Sequence, residues 1–136
     1  MAYISQYDKA KLMPGIKAVL KKYGLKGSVS IRDHMALVVT IREGIHDLVN
    51  DYQAFLKKEY PDRTYTDKPT YFEVYPENIQ KYKFPGIQGD LFTELGSAMK
   101  KPDWRDNSDI MTDYFDISYY MEIRVGEWDK PYRYTR

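Results

Sequence analysis

Five aspartates lie within 14 residues near the carboxyl end of the chain, and only Arg105 offsets their charge locally. In an irregular segment, aspartates commonly bond nearby backbone amides and stabilise turns and helix ends. They also make an acidic surface for a basic protein, including a nuclease that normally grips DNA phosphates. Carboxylate oxygens are, in addition, the ligands that Mg²⁺ and Ca²⁺ prefer. The five are Asp103, Asp106, Asp109, Asp113 and Asp116.

The metal alternative would be an enzyme, such as a nuclease, built on Asp106, Asp109 and Asp113. The run from Asp106 to Asp109 is not a calcium-loop pattern, since it lacks the central glycine and the distant glutamate. The chain contains no GxSxG, Walker or HExxH motif, only two histidines and no cysteine, so no other catalytic set or thiolate metal site emerges. We therefore predict a protein that is not an enzyme and needs no cofactor, with the metal-dependent enzyme kept as an alternative.

The acidic cluster leads into a predicted strand, Phe115 to Val125, whose residues alternate without a break between apolar and polar. Successive side chains of a strand point to opposite faces, so this strand has one apolar and one wet face. The wet face is predicted to carry Asp116, Ser118, Tyr120, Glu122 and Arg124.

A second alternative uses that wet face to bind nucleic acid. Tyr120 next to Arg124 on an open sheet can stack on bases and hold phosphates. Lys17, Lys21 and Lys22 on the first predicted helix would add positive charge, although these lysines also fit an ordinary solvated face. The acids on the same strand would oppose the phosphates.

The remaining pattern predicts three helices and three further strands around the last strand. Pro14-Gly15 predicts either a kink in the first helix or a regular part that begins at Pro14, and Asp33-His34 predicts a hairpin turn. The order α-β-β-α-(β)-α-β indicates a single α+β domain that spans residues 1–136. We predict an antiparallel sheet of three or four strands with the helices packed on one face. The last strand is predicted to lie in the centre of that sheet. The predicted helices are Asp8–Tyr23, Ile45–Glu59 and Gly89–Lys101, and the strands are Ser28–Arg32, Met35–Arg42 and Tyr71–Tyr75.

The composition is that of an ordinary globular chain of 136 residues with a net charge of +1. The absence of cysteine and of an apolar membrane-length segment favours the cytoplasm and no membrane partner. Tyrosine is unusually frequent, with 14 Tyr against 5 Phe. Tyrosine gives rigid contact area with a polar tip, which suits a binding surface or the interface of a homo-oligomer.

Three stretches resemble small phage- and plasmid-borne proteins of the large polyvalent protein-associated domain group. They are AKLMPGIKAVLKKYGLKGSVSIR, ending at Arg32, then DNSDIMTDYFD from Asp106 to Asp116, and YYMEIRVGEWDKPY from Tyr119 to Tyr132. The resemblance implies a setting: such domains travel with mobile elements and act in the cytoplasm of the invaded host cell. It supplies no catalytic residues.

The leading hypothesis is therefore a small non-enzymatic phage or mobile-element protein that binds a host protein. The expected partner is a defence nuclease complex, inhibited in the manner of an anti-CRISPR or anti-restriction protein. Trp104 and Trp128 flank the last strand, where they either close the ends of the core or join a binding pocket with Arg105 and Lys130. The predicted partner-binding residues are Asp103, Trp104, Asp106, Asp109, Asp113 and Trp128.

Overall fold

A computed structural model describes residues 3–64, 70–76, 86–102, 104, 118–127 and 129–135. Three helices lie in this part of the chain: α1 (Gln6–Lys22), α2 (Leu48–Glu59) and α3 (Gly86–Met99). It also contains five strands: β1 (Leu25–Arg32), β2 (Ala36–Gly44), β3 (Phe72–Val74), β4 (Tyr120–Val125) and β5 (Arg133–Tyr134). The predicted α+β class is confirmed, and each predicted helix and strand has its counterpart. No helix within these residues is long and apolar enough to cross a membrane.

The five strands form one mixed sheet in the order β1-β2-β4-β3, with β5 paired to the end of β2. β4 lies between β2 and β3, which confirms its predicted central position. The prediction of an antiparallel sheet is wrong in one respect: β2 runs parallel to both β4 and β5. Between β2 and β4 the chain passes through α2, β3 and α3, which is long enough for the crossover that parallel strands require.

The hairpin between β1 and β2 turns at the predicted residues. Asp33 and His34 have φ angles of 53° and 59°, the left-handed conformation that matches the twist of a two-stranded ribbon. The Met35 amide donates to the Arg32 carbonyl at 3.0 Å and closes the turn. The turn therefore sets the register that places Arg32 opposite Ala36.

Helix α1 begins in a capping box. The Asp8 amide donates to the Ser5 hydroxyl at 3.0 Å, and the Ser5 amide donates to the Asp8 carboxylate at 3.3 Å. These two bonds satisfy amides that the first turn of a helix leaves unpaired. The helix continues through Pro14, so of the two alternatives predicted there, the one in which its regular part begins at Pro14 is wrong.

All three helices pack on the same face of the sheet, as predicted. Their buried residues share one core with the inward-facing residues of β2 and β4, as the alternation along those strands requires. Ile45 was predicted as the first residue of the second helix, but it precedes α2 and is 53% exposed. The shared core includes Ile16 and Leu20 of α1, Leu48 of α2, Leu91, Phe92 and Leu95 of α3, and Leu37, Val39, Ile41, Met121, Ile123 and Val125 of the sheet.

Candidate functional site

The sheet face opposite the helices is formed by alternate residues of four strands, and we call it the polar sheet face. Strand register arranges them in rows across the sheet: Arg32 beside Ala36 and Tyr120, and Thr40 between Ser28 and Arg124. The full set is Ser28, Ser30 and Arg32 of β1, Ala36, Val38 and Thr40 of β2, Tyr120, Glu122 and Arg124 of β4, and Glu73 of β3 with Tyr75 directly after it.

Glu122 lies at the centre of this face, and it corrects the prediction of a uniformly wet strand face, because only 2% of the residue is exposed. Its Oε2 atom accepts hydrogen bonds from Arg32 Nη1 at 2.9 Å and from Arg124 Nε at 3.0 Å. A buried carboxylate is costly unless it is paired, and charge-assisted bonds from guanidinium groups are among the stronger kinds. The two arginines therefore make the burial of this carboxylate tolerable.

The small side chain of Ala36 leaves room for this arrangement. Arg32 belongs to β1 and Glu122 to β4, so the arginine side chain must extend across β2, where its row neighbour is Ala36. The side chains of Arg32 and Arg124 stay 48% and 30% exposed. Because a guanidinium has five N–H donors, each arginine held on one carboxylate oxygen keeps donors for a partner molecule.

Two exposed tyrosines accompany the arginines. Tyr120 and Tyr75 are 38% and 37% exposed, and the Tyr75 hydroxyl donates to Glu73 at 3.2 Å. Burial, together with the negative charges of Glu73 and Glu122, raises the pKa of Tyr75, which keeps this hydroxyl protonated and able to donate. The middle of the polar sheet face is buried, since Ala36, Val38, Thr40 and Glu122 are each at most 5% exposed. The accessible groups of this face therefore include the two tyrosines and the two arginines around that buried middle.

Trp104 is the one predicted partner-binding residue within the described part of the chain, and it lies against the core. Its indole N–H donates to the Tyr119 carbonyl at 2.9 Å, and the two rings meet edge to face at 6.5 Å. The Tyr119 hydroxyl in turn donates to the Met99 carbonyl at the end of α3. The other predicted partner-binding residues, Asp103, Asp106, Asp109, Asp113 and Trp128, lie outside the described residues.

The predicted nucleic-acid residues are not brought together. Tyr120 and Arg124 belong to the polar sheet face, whereas Lys17, Lys21 and Lys22 are exposed on α1, in the layer that covers the opposite face. The alternation along β4, which buries Met121 and Ile123 against the helices, separates the two groups.

Two of these lysines also have partners within the fold. Lys17 Nζ donates to the Gly27 carbonyl at 2.6 Å, and Lys22 Nζ pairs with Glu94 of α3 at 2.6 Å. The bond from Lys22 lowers the pKa of Glu94, so this pair stays charged and links α1 to α3. The lysines thus contribute to contacts within the protein.

The predicted metal ligands Asp106, Asp109 and Asp113 all lie outside the described residues. Within the residues that are described, no group of three or more His, Cys, Asp or Glu side chains is close enough to hold a metal ion. The metal-dependent enzyme remains a prediction from the sequence.

Sequence analysis missed the joint role of Arg32, Tyr75 and Glu122. Arg32 and Tyr75 were each predicted only as the last residue of a strand. Ninety positions separate Arg32 from Glu122, so no local spacing links them. The feature of the sequence that pointed to this site was the alternation along β4, which placed Glu122 and Arg124 on one face of the strand.

The chain matches no protein-family model, and no curated protein or solved structure matches it. The resemblance to the large polyvalent protein-associated domain group therefore stays an expectation from the sequence.

Proposed function

We propose that the protein is a small non-enzymatic binding protein that contacts a protein partner through the polar sheet face. The observation that carries this proposal is the grouping of exposed Tyr75 and Tyr120 with two arginines held by the buried Glu122. Tyrosine and arginine are enriched among the residues that dominate protein–protein binding energy. Arginines already held in place lose less side-chain entropy on binding, which favours affinity.

The charge balance of this face favours a protein over nucleic acid. Arg32 and Arg124 contribute two positive charges, and Glu73 and Glu122 contribute two negative charges, so these four groups sum to zero. Nucleic-acid affinity depends on excess positive charge that displaces counterions from phosphates. A neutral face with both signs interspersed instead suits complementary pairing with another protein surface.

The expected partner follows from the resemblance and from the acidic segment. A mobile-element setting makes the partner a host protein in the host cytoplasm, with a CRISPR or restriction nuclease complex as the target to be inhibited. The residues proposed to meet the basic surface of such a nuclease are Asp103, Trp104, Asp106, Asp109, Asp113 and Trp128. In the sequence this segment precedes β4, which supplies Tyr120 and Arg124 to the polar sheet face.

A pulldown from host lysate tests the proposal. The tagged protein is compared with a Tyr75→Ala/Tyr120→Ala double variant and with Tyr60→Ala, which removes a tyrosine that is 49% exposed after α2. We expect a discrete protein that survives nuclease treatment, is recovered at least tenfold less by the double variant, and is recovered normally by Tyr60→Ala. Because hot-spot tyrosines commonly contribute about 2 kcal/mol each, a loss of this size is expected.

Two other outcomes would contradict the proposal. Equal recovery by the double variant would place the contact elsewhere. Recovery that disappears on nuclease treatment would favour the nucleic-acid alternative of Lys17, Lys21, Lys22, Tyr120 and Arg124. The metal-dependent alternative is tested separately by calorimetry with Mg²⁺, Mn²⁺ and Ca²⁺, where saturable heat would support a site at Asp106, Asp109 and Asp113.

A further inference from the structure

A second surface feature lies where the parallel strands β2 and β4 end. There the surface forms an open cavity of about 480 Å³. This volume is within the range of ligand pockets in proteins. The carboxyl ends of neighbouring parallel strands are a frequent place for ligands. The cavity is lined by Thr40, Arg42, Glu43, Gly126, Glu127, Lys130, Pro131 and Arg133.

The walls of this cavity are held by backbone hydrogen bonds from several segments. The Gly126 amide donates to the Ile41 carbonyl at 2.9 Å, which fixes the end of β4 on β2. Glu127 and Lys130 exchange amide–carbonyl bonds of 2.9 and 3.1 Å and close the turn between them. These bonds make the cavity a preformed feature that a ligand can enter without reordering the chain.

The C-terminal segment forms the far wall and is anchored twice by Tyr132. Its amide donates to the Thr70 carbonyl at 3.0 Å, and its hydroxyl donates to the His46 carbonyl at 2.6 Å. Burial raises the pKa of the Tyr132 hydroxyl, so it stays a donor at physiological pH. This anchoring keeps Arg133 beside β2, where it is the register partner of Glu43.

Three cations line the cavity, each from a different segment. Arg42, Lys130 and Arg133 are all exposed, and among the described residues none of them forms an ion pair. The half-buried Glu43 and Glu127 leave a net charge of +1 for the cavity lining. Since Thr40 is flanked by Arg124 in the sheet, the cavity also borders a fourth cation.

We propose that this cavity binds a small phosphate-bearing ligand of the nucleotide class. A phosphate group carries up to two negative charges and three acceptor oxygens, which match guanidinium forks from Arg42 and Arg133 and the point charge of Lys130. Glu43 and Glu127 accept hydrogen bonds from ligand hydroxyl or amino groups, as on a ribose or a base. This inference goes beyond the proposed partner binding and does not depend on it.

Isothermal titration calorimetry with the full chain at low salt tests the site, with ADP, inorganic phosphate and acetate as probes. We expect saturable 1:1 binding of ADP, weaker binding of phosphate and no saturable binding of acetate. A Lys130→Gln/Arg133→Gln double variant should bind ADP at least tenfold more weakly. Lys57→Gln, which removes an exposed charge from α2, should bind ADP like the original protein.

The substituted side chains are exposed, so the variants are expected to fold, and circular dichroism with a thermal melt checks this. If the double variant fails to fold, Lys130→Gln alone serves as the test, with at least a threefold loss expected. Saturable ADP binding that neither substitution weakens would overturn the proposal. So would the absence of ADP binding at millimolar concentration, or binding of a single-stranded oligonucleotide without binding of ADP.

Discussion

Arg32 Nη1 donates to Glu122 Oε2 at 2.9 Å across the whole width of β2, joining the first strand of the sheet to the last long one. Arg124, which lies two residues after Glu122 on β4, donates to the same oxygen. A single buried carboxylate thus orients two arginines that remain partly exposed. The same contact contributes to stability and shapes the polar sheet face proposed to bind a partner.

Replacing Glu122 with glutamine should lower the free energy of unfolding by about 1–3 kcal/mol, the usual range for bonds to a charged group. The substitution keeps the shape of the side chain and removes the charge that holds Arg32 and Arg124. Urea denaturation measures the difference. Glu59→Gln, at an exposed position at the end of α2, should change stability by no more than about 0.5 kcal/mol. An equally small change in Glu122→Gln would show that the paired arginines add little to stability.

Gly126→Ala and Gly15→Ala should have opposite effects on the stability of the fold. Gly126 has a φ of +77°, and a Cβ there would lie 2.6 Å from the Tyr132 amide nitrogen and 2.8 Å from the Thr70 carbonyl oxygen. We expect Gly126→Ala to destabilise the protein by about 1–3 kcal/mol. Gly15 lies inside α1 with its nearest neighbour 4.0 Å from the added Cβ, so alanine there should stabilise by about 0.5–1 kcal/mol. Thermal melts compare the two, and a gain in stability from Gly126→Ala would refute the conformation assigned to this turn.

Asp8 should make part of the stability depend on pH. Burial alone would raise its pKa, but the hydrogen bonds with Ser5 and the ion pair with Lys101 outweigh burial and lower the pKa below 3.8. Since the folded pKa lies below the unfolded value, this carboxylate stabilises the protein fully above about pH 4 and loses its contribution as the pH falls through the folded pKa.

Asp8→Asn should therefore cost about 0.5 kcal/mol at neutral pH, as expected for an acid in the first turn of a helix. The difference from the original protein should shrink as the pH falls through the folded pKa of Asp8. Urea denaturation at about four pH values between pH 2 and pH 7 measures the difference in the free energy of unfolding. Asp62→Asn, at an exposed position after α2, serves as the control. A deficit in Asp8→Asn that is the same at every pH would rule out the charge as its cause.

Neutralising the acidic segment should weaken partner binding mainly through the association rate. In an Asp106→Asn/Asp109→Asn/Asp113→Asn variant, the loss of charge removes long-range attraction to a basic partner. The difference from the original protein should be large at low salt and fade as salt screens it. Surface plasmon resonance with the captured partner measures both rate constants. Unchanged association at low salt would remove this segment from the contact surface.

The alternation of residues along the chain was sufficient to predict much of the fold. The helical spacing of apolar residues identified the three helices. The alternation identified the hairpin at Asp33-His34 and the central position of β4. It could not give strand direction, because a parallel and an antiparallel neighbour bury the same alternate residues. β5 was missed because it is two residues long and forms only by pairing with the end of β2.

The candidate site was less predictable because it depends on contacts between distant parts of the chain. Glu122 followed the pattern of an exposed residue, and its burial is stabilised by hydrogen bonds from Arg124 on the same strand and from the distant Arg32 on β1. The lysines of α1 were predicted either to lie on an ordinary solvated face or to add positive charge for nucleic acid, yet Lys22 pairs with Glu94, which lies 72 positions away. Such pairings follow from the packing of α1 against α3 and leave no local signal.

Tyrosine footprinting of the protein with its captured partner tests whether the polar sheet face is the contact surface. Nitration of each tyrosine is measured by mass spectrometry with and without the partner, so that every tyrosine serves as its own reference. We expect strong protection of Tyr75 and Tyr120 on the polar sheet face and unchanged labelling of Tyr60. Protection of Tyr60 with unchanged labelling of Tyr75 and Tyr120 would contradict the assignment of the polar sheet face as the contact surface.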